Sequence, residues 1–358
     1  MSNRYRYFPF RGIPAFAALP LIAAVVVLSS LFGCGGHSSS ISPSPTPTPT
    51  GTPIVSLSGV LAVGSTHDTD GVETQIYTMN ADGSNIKRLS NIAASESPGG
   101  WSPNGGAYIV FSSNRNNSGG LTNNSDIYVM NNDGSNVRRV SSDTTKNSIT
   151  PAWSPDGVNI AFSYGGSIAV LPAASVAVKP ATNNILTDAT ITNAAGPVWS
   201  PDETKIAFVA DTPGIASSDG AKAKSIFVMN ADGTARQQIT AGLEYIHQVA
   251  WSPDGTKLVF DSSFDTGGPT SLRTQIYTIA TDGTNRVRLT NNTAMDLSPA
   301  WSPDGKLVMF ASNRDHGGGG GGANPYDLYV VDPSTLVVTR VTASGLNFFL
   351  GAEDWRSN

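Results

Sequence analysis

Short apolar runs recur along the chain, each bounded by turn residues. One set follows a Trp-Ser-Pro turn: Tyr108-Ile109-Val110-Phe111, Ile160-Ala161-Phe162, Ile206-Ala207-Phe208, Leu258-Val259-Phe260 and Leu307-Val308-Met309-Phe310. A second set comes after a polar loop: Ile127-Tyr128-Val129-Met130, Ile226-Phe227-Val228-Met229, Ile276-Tyr277-Thr278-Ile279 and Leu328-Tyr329-Val330-Val331. Most of these run into a hairpin signal, Asn131-Asn132-Asp133-Gly134, Asn230-Ala231-Asp232-Gly233 or Thr281-Asp282-Gly283, with Asn80-Ala81-Asp82-Gly83 ahead of them. Asp-Gly supplies the positive-φ residue that a tight turn needs. A last short run closes the unit, as in Val137-Arg138-Arg139-Val140 and Val287-Arg288-Leu289-Thr290. Runs this short, rich in β-branched and aromatic residues, are strands. Each unit predicts a four-stranded antiparallel meander.

The units lie on a grid marked by tryptophan. Trp-Ser-Pro-Asp-Gly is complete at Trp153–Gly157, Trp251–Gly255 and Trp301–Gly305; Asn104 and Glu203 each break one further copy. With Trp355, the six tryptophans are spaced by 52, 46, 52, 50 and 54 residues. A steady period near fifty marks a repeat architecture, and four strands per period describe a β-propeller blade. Residues 57–90 hold the last three strands of a unit and residues 349–358 hold a lone Trp strand. Joined, they make one blade. The reading is all-β: a six-bladed propeller closed by pairing the C-terminal strand with the N-terminal blade, which removes the exposed sheet edges.

Taken in order, Pro-x-Trp-Ser-Pro-Asp-Gly, apolar run, Ser-Asn-Arg, Ile-Tyr-x-Met-Asn-x-Asp-Gly and Leu-Thr resemble the repeats of the TolB-like propellers. Pro151–Gly157, Ser312-Asn313-Arg314 and Ile226–Gly233 carry the resemblance best. It implies a six-bladed propeller over residues 54–358. The third unit departs most: Ile168-Ala169-Val170-Leu171-Pro172 lacks the Asp-Gly turn, and the run to Ile185-Leu186-Thr187 is irregular. TolB also carries an α/β domain before its propeller, whereas a Pro-Thr spacer stands there in this chain. TolB's own role therefore does not transfer.

Composition refines the picture at the N-terminus. Arg4, Arg6 and Arg11 precede an apolar run from about Ala15 to Leu28, and the segment ends Leu31-Phe32-Gly33-Cys34. Residues 1–33 read as an export signal. The ending resembles the lipobox of bacterial lipoproteins, which implies lipidation of Cys34, the single cysteine of the chain. The folded body would then have no thiol for disulfides, metal ligation or nucleophilic attack. Residues 34–53 form a Pro/Ser/Thr-rich linker, Pro43-Ser44-Pro45-Thr46-Pro47-Thr48-Pro49 at its centre. As polyproline II, at about 3.1 Å per residue, it would hold the body up to about 50 Å from the lipid. Gly35 after the cysteine points, by analogy, to an outer-membrane lipoprotein facing the periplasm or the cell surface. The formal charge is −5, and loss of the three leader arginines would leave −8. An acidic body with no basic stripe argues against nucleic acid as a partner.

Function is less legible. The Trp-Ser-Pro-Asp-Gly and Asn-x-Asp-Gly turns share one face. The long, uneven connections Ser112–Ser125, Asp211–Ser225, Asp261–Thr274 and Ala311–Pro325 share the other, where recognition usually resides. The innermost strands enter the channel from that same face, and just upstream of the tryptophans stand Glu96, Asn147, Asn193, His247 and Asp296. These are the candidate channel-mouth residues. A ring of oxygen ligands, from the acids and amides among them, could hold Ca²⁺. As polar lining of a water-filled channel they need no ligand, and no metal site is assigned. Asp68-Thr69-Asp70-Gly71-Val72-Glu73 lacks the regular spacing of a calcium loop. The repeated turn aspartates are expected to bond local backbone amides.

No Gly-x-Ser-x-Gly elbow occurs, and Gly317–Gly322 is followed by no Lys-Ser/Thr, so neither a serine hydrolase nor a phosphate loop is indicated. Three histidines, His67, His247 and His316, remain beyond the linker. With no catalytic motif, the expectation is a monomeric, non-enzymatic module. It would have no cofactor, would reach the membrane through its lipid alone and would bind an envelope protein or peptide. The alternative is a Ca²⁺-dependent hydrolase or glycan-active propeller using the channel.

Overall fold

The computed structural model describes residues 57–66, 73–103, 105–116, 124–216, 222–242, 244–264, 266, 273–316, 326–342 and 349–357, without the side chains of 215, 216, 222 and 349–354. The export signal 1–33, Cys34 and its linker, the loop 67–72 and the glycine run 317–322 lie outside the described residues.

Six antiparallel sheets form a ring, each built as a meander from the centre outward. Blade one contains β1 (Val60–Ser65), β2 (Gln75–Asn80) and β3 (Lys87–Arg88). Blade two contains β4 (Glu96–Trp101), β5 (Tyr108–Ser113), β6 (Asp126–Asn131) and β7 (Arg138–Arg139). Blade three contains β8 (Ser148–Trp153), β9 (Asn159–Tyr164) and β10 (Ser167–Pro172). Blade four contains β11 (Ala195–Trp199), β12 (Lys205–Ala216), β13 (Lys222–Asn230) and β14 (Gln237–Gln238). Blade five contains β15 (Val249–Trp251), β16 (Lys257–Ser262), β17 (Gln275–Ala280) and β18 (Val287–Arg288). Blade six contains β19 (Asp296–Trp301), β20 (Val308–Ser312), β21 (Asp327–Val331) and β22 (Val338–Arg340). Finally, β23 (Phe349–Arg356) returns to blade one as its innermost strand.

The ring closes as the tryptophan grid predicts. β23 pairs antiparallel with β1, Leu61 opposite Trp355 and Val60 opposite Arg356. The Trp355 indole N–H donates to the Ser58 carbonyl at 2.9 Å. Arg356 reaches further, its guanidinium 4.4 Å from the Trp101 ring centre and donating to the Gly105 carbonyl at 2.7 Å. The last strand thus fastens blade one and also holds blade two.

Alternation along the strands explains the core. Cross-strand partners such as Phe111 and Tyr128, Phe208 and Phe227, Phe260 and Tyr277, and Phe310 and Tyr329 stack at 5.6 to 5.9 Å. The residues between them face the other side of the sheet. Each blade is therefore apolar on both faces, and among the described residues the core falls into six clusters, each drawn from two adjacent blades. Leu61, Tyr77 and Met79 of blade one meet Met309 and Leu328 of blade six in the cluster that spans the closure.

Two expectations need correction. The connection Asp211–Ser225 is largely a hairpin arm, because β12 and β13 continue pairing through Asp211–Lys224 to Ala216–Lys222. Blade three has three strands where four were expected. Its fourth shrinks to an isolated bridge between Ala169 and Ile185, because Thr182–Asn184 form a 3₁₀ turn where the strand would continue. Between Pro172 and that turn the chain crosses to blade two. The Val178 amide donates to the Val140 carbonyl at 3.0 Å, the Ala177 amide to Arg139 at 3.1 Å, and Arg138 donates to the Ala173 carbonyl at 2.6 Å. The excursion covers the outer edge of blade two.

The excursion stands in for a contact made elsewhere by the Asp-Gly turns. Gly83, Gly134, Gly233 and Gly283 all have φ between +82° and +89°. A Cβ on them would lie 3.1, 2.6, 2.7 and 2.9 Å from the carbonyl oxygens of Val341, Leu89, Leu186 and Ile239, each in the preceding blade. These glycines let one blade rest on the next. Gly233→Ala should therefore lower stability by more than the about 1 kcal/mol cost of left-handed backbone alone. Gly255→Ala has the same strain, at φ +69°, but its nearest neighbour would be 3.7 Å away, and it should stop near that cost. Urea unfolding of both variants checks the difference.

The turn aspartates behave as expected. The Asp133 carboxylate accepts from the Ser135 amide at 2.9 Å, and Asp156 from the Val158 amide at 2.9 Å. Across the nine repeat turns, at 82, 133, 156, 202, 232, 254, 282, 304 and 332, a Ser or Thr hydroxyl two residues away is the main force holding the carboxyl below its ordinary value of 3.8. A pKa depressed in the folded state adds stability above the unfolded pKa and loses it as pH falls through the folded one. The melting temperature should be flat from neutral pH down to about 5 and fall steadily below about 4. Asp133→Asn should lose part of that acid sensitivity.

Candidate functional site

The long-connection face is where inner strands begin, second strands end and third strands begin. Glu96 opens β4 opposite Ser113, and Asp296 opens β19 opposite Ser312. Asn147 lies one residue outside the Ser148–Tyr164 pair, Asn193 two outside Ala195–Val209, and His247 two before β15. The five share the mouth but not one layer.

Their side chains have different surroundings. Glu96 and Asp296 are buried, and each is held by an arginine: Arg115 bonds Glu96, and Arg314 reaches both Asp296 oxygens at 3.1 Å. Asn292 adds a bond of 2.7 Å to Asp296. Asn147 accepts from the Ser125 amide at 2.9 Å. Asn193 donates to Asp211, whose other oxygen takes the Lys224 ammonium at 2.7 Å. His247 is exposed, at 40 % of its side chain, and its Nδ1 lies 2.5 Å from the buried Asp261 carboxylate. Its ring meets Tyr245 edge-on at 4.6 Å. With Nδ1 so engaged, Nε2 is the nitrogen left for a ligand.

The arginines went unrecognised in the sequence as site residues. Arg115 lies 5.1 and 5.0 Å from the Phe111 and Tyr128 ring centres, and Arg314 lies 5.1 and 4.6 Å from those of Phe310 and Tyr329. Their signal was the Arg of Ser-Asn-Arg, four residues after the strand phenylalanine. In blade five Arg286 comes instead from the outer hairpin. It is clamped by Phe260, Phe264 and Tyr277 at 5.0, 4.1 and 4.6 Å and bonds Glu244 at 3.1 and 2.7 Å. No local motif foretells that substitution.

Blade three uses Tyr164, whose hydroxyl donates to Asp143. Although burial pushes the Asp143 carboxyl up, Tyr164, Thr145 and Lys179 outweigh it and hold it well below the usual range. Acids at this edge are thus paired locally, because an unpaired buried carboxylate would cost several kcal/mol. One oxygen escapes: Glu96 Oε2 is buried without a hydrogen-bond partner. Among the described residues, no group of three or more His, Cys, Asp or Glu is placed to hold a metal ion.

Breaking such a pair should be severe. Arg314→Met strands the Asp296 charge and should cost about 3 kcal/mol in urea unfolding. Adding Asp296→Asn should recover much of that loss, since the stranded charge goes with it. Equal stability of the single variant and the parent would show that the pair carries no such burden.

The fold comparisons agree with the repeat pattern. The family model described as the TolB beta propeller domain matches residues 44–217 and 127–272. No curated protein matches the sequence. Among solved structures, the putative TolB from Agrobacterium tumefaciens is 20% identical, with a TM-score of 0.56 over 83% of this chain and 91% of that one. TolB from Acinetobacter baumannii is 17% identical, with a TM-score of 0.61 over 82% and 66%. An oligogalacturonate lyase in complex with manganese is 14% identical, with a TM-score of 0.51 over 80% and 74%. At these identities the structural likenesses speak for the fold alone. With the family model spanning residues 44–272, the chain belongs to the TolB β-propeller domain family.

Proposed function

We propose that this protein is a binding propeller that captures a protein or peptide partner on its long-connection face and channel mouth. In this reading Cys34 carries the lipid that tethers it in the bacterial envelope, and the linker sets its reach. The observation that carries the reading is internal charge compensation. Glu96, Asp211, Glu244 and Asp296 are matched to Arg115, Lys224, Arg286 and Arg314. Groups engaged in this way make a rigid rim rather than a reactive centre. Exposed His247 and the β12–β13 arm lie on the same face and are the contacts this reading assigns to the partner. Among the described residues no helix is long and apolar enough to cross a membrane.

The Ca²⁺-dependent hydrolase or glycan-active alternative has one observation in its favour, the unpartnered buried oxygen of Glu96. The two readings part in a single set of measurements on protein purified without chelator. Binding predicts no stoichiometric metal, melting indifferent to calcium and chelator, and loss of envelope-partner capture when the β12–β13 arm is shortened. A bound calcium that raises the melting temperature and disappears with Asp296→Ala would overturn it. Cys34→Ser should abolish incorporation of labelled fatty acid.

A further inference from the structure

The opposite face holds a groove that the repeat pattern does not foresee. It lies between blades three and four, has a volume of about 560 Å³, and occupies the place where blade three lacks its outer hairpin. Val170, Leu186 and Trp199 give it an apolar floor, the first two half-buried and the last buried. Its rim carries three exposed carboxylates from three separate turns, Asp156, Glu203 and Asp232. Among the described residues, no Lys, Arg or His lines it.

Glu203 is the informative member. The corresponding residue in the complete turns is Gly157, Gly255 or Gly305, with φ of +73°, +69° and +70°. Glu203 adopts the same left-handed conformation, at φ +64°, although it bears a side chain. Glycine does so without strain, and nine other non-glycine residues also lie at positive φ among the described residues, so it is the charge of the side chain that sets this turn apart. The one repeat that places glutamate there is the one beside the groove.

We propose that this groove binds a lysine-bearing segment of a partner protein, with the aliphatic stem on the Val170–Leu186–Trp199 floor and the ammonium among the three carboxylates. Long cationic side chains bury their stems on apolar surface while the head stays in polar surroundings. The charge of the rim selects lysine or arginine over acidic or neutral chains. Peptide addition to the edge of β10 is disfavoured, since Pro172 ends that edge without an N–H and Leu186 and Thr187 already bond Ile168. The groove is separate from the channel mouth, so the two binding sites stand or fall independently.

The test uses a fluorescein-labelled pentapeptide with two lysines flanking a leucine, and its glutamate counterpart, followed by anisotropy. The lysine peptide should bind, weaken as salt is raised, and leave the glutamate peptide unbound. Glu203→Gln should weaken it by about threefold or more. Glu203→Gly should weaken it equally while raising the melting temperature, a pairing that a purely structural glutamate would not give. Asp282→Asn, which removes a charge from the equivalent turn of blade five, should leave binding unchanged. Equal binding of both peptides, or equal weakening by Asp282→Asn, would reduce the effect to net charge and overturn the proposal. Binding of neither peptide, together with a dimer that Glu203→Gln disrupts, would assign the groove to a second copy of the chain and overturn it equally.

Discussion

A blade of this protein has apolar residues on both faces and no partner layer of its own. Phe111 and Tyr128 look one way from blade two, while Ile127 and Val129 look the other. Neither face can be left to water, because each buried aromatic or aliphatic side chain contributes roughly 1.5–3 kcal/mol on leaving it. Stacking blades side by side covers both faces of every interior blade, but an open stack would leave two faces bare. Closing the stack into a ring removes the bare ends: Leu61, Tyr77 and Met79 of blade one pack on Met309 and Leu328 of blade six, and the pairing of Leu61 with Trp355 fastens the joint. Every other feature hangs on that constraint, since the channel, the rim and the two faces exist only once the ring is shut.

Within the ring, charge is handled at the blade edges. The long-connection edge gathers acids close to the core, and the fold answers with cations drawn from whichever segment is near. Blade two and blade six use the arginine that follows the second strand, blade four a lysine on the third, and blade five an arginine from the outer hairpin. The shared requirement is physical rather than sequential: a buried carboxylate, a cation and, in blades two, five and six, aromatic rings at 4.1–5.1 Å from the guanidinium. Aromatic faces stabilise a guanidinium that has lost part of its water. The result is a mouth whose polar groups mostly satisfy one another, with His247 left open to solvent.

This explains what the sequence could and could not convey. Tryptophan spacing announced the blade number, and Asp-Gly announced the turns, because both depend on local chemistry that recurs. The bridge from Leu61 to Trp355 followed from counting strands at the two ends. The roles of Glu96 and Asp296 were less visible, since an acid at a channel mouth looks the same in sequence whether it faces a metal or an arginine. Arg286 was invisible, because it reaches Glu244 from an outer hairpin 42 residues away. The β12–β13 arm was read as loop because its apolar alternation runs out after Asp211, although the two strands continue to pair as far as Ala216 and Lys222.

Departures from the repeat deserve a separate physical reading, because each must be compensated somewhere. Blade three gave up its Asp-Gly hairpin, and the excursion through Val178 supplies the lost contact to the Val140 carbonyl of blade two. That repair covers one side only. On the other side, the truncated strand leaves the wall beside blade four uncovered, so half-buried Val170 and Leu186 remain at the surface of a groove. A repeat protein under no further demand would be expected to cover such a wall with apolar or neutral residues. Here the neighbouring turns set three carboxylates around it, one of them on backbone that favours glycine. Asp156 and Asp232 serve their own turns, so Glu203, which neither ring closure nor turn chemistry requires, is the charge that a cationic occupant explains.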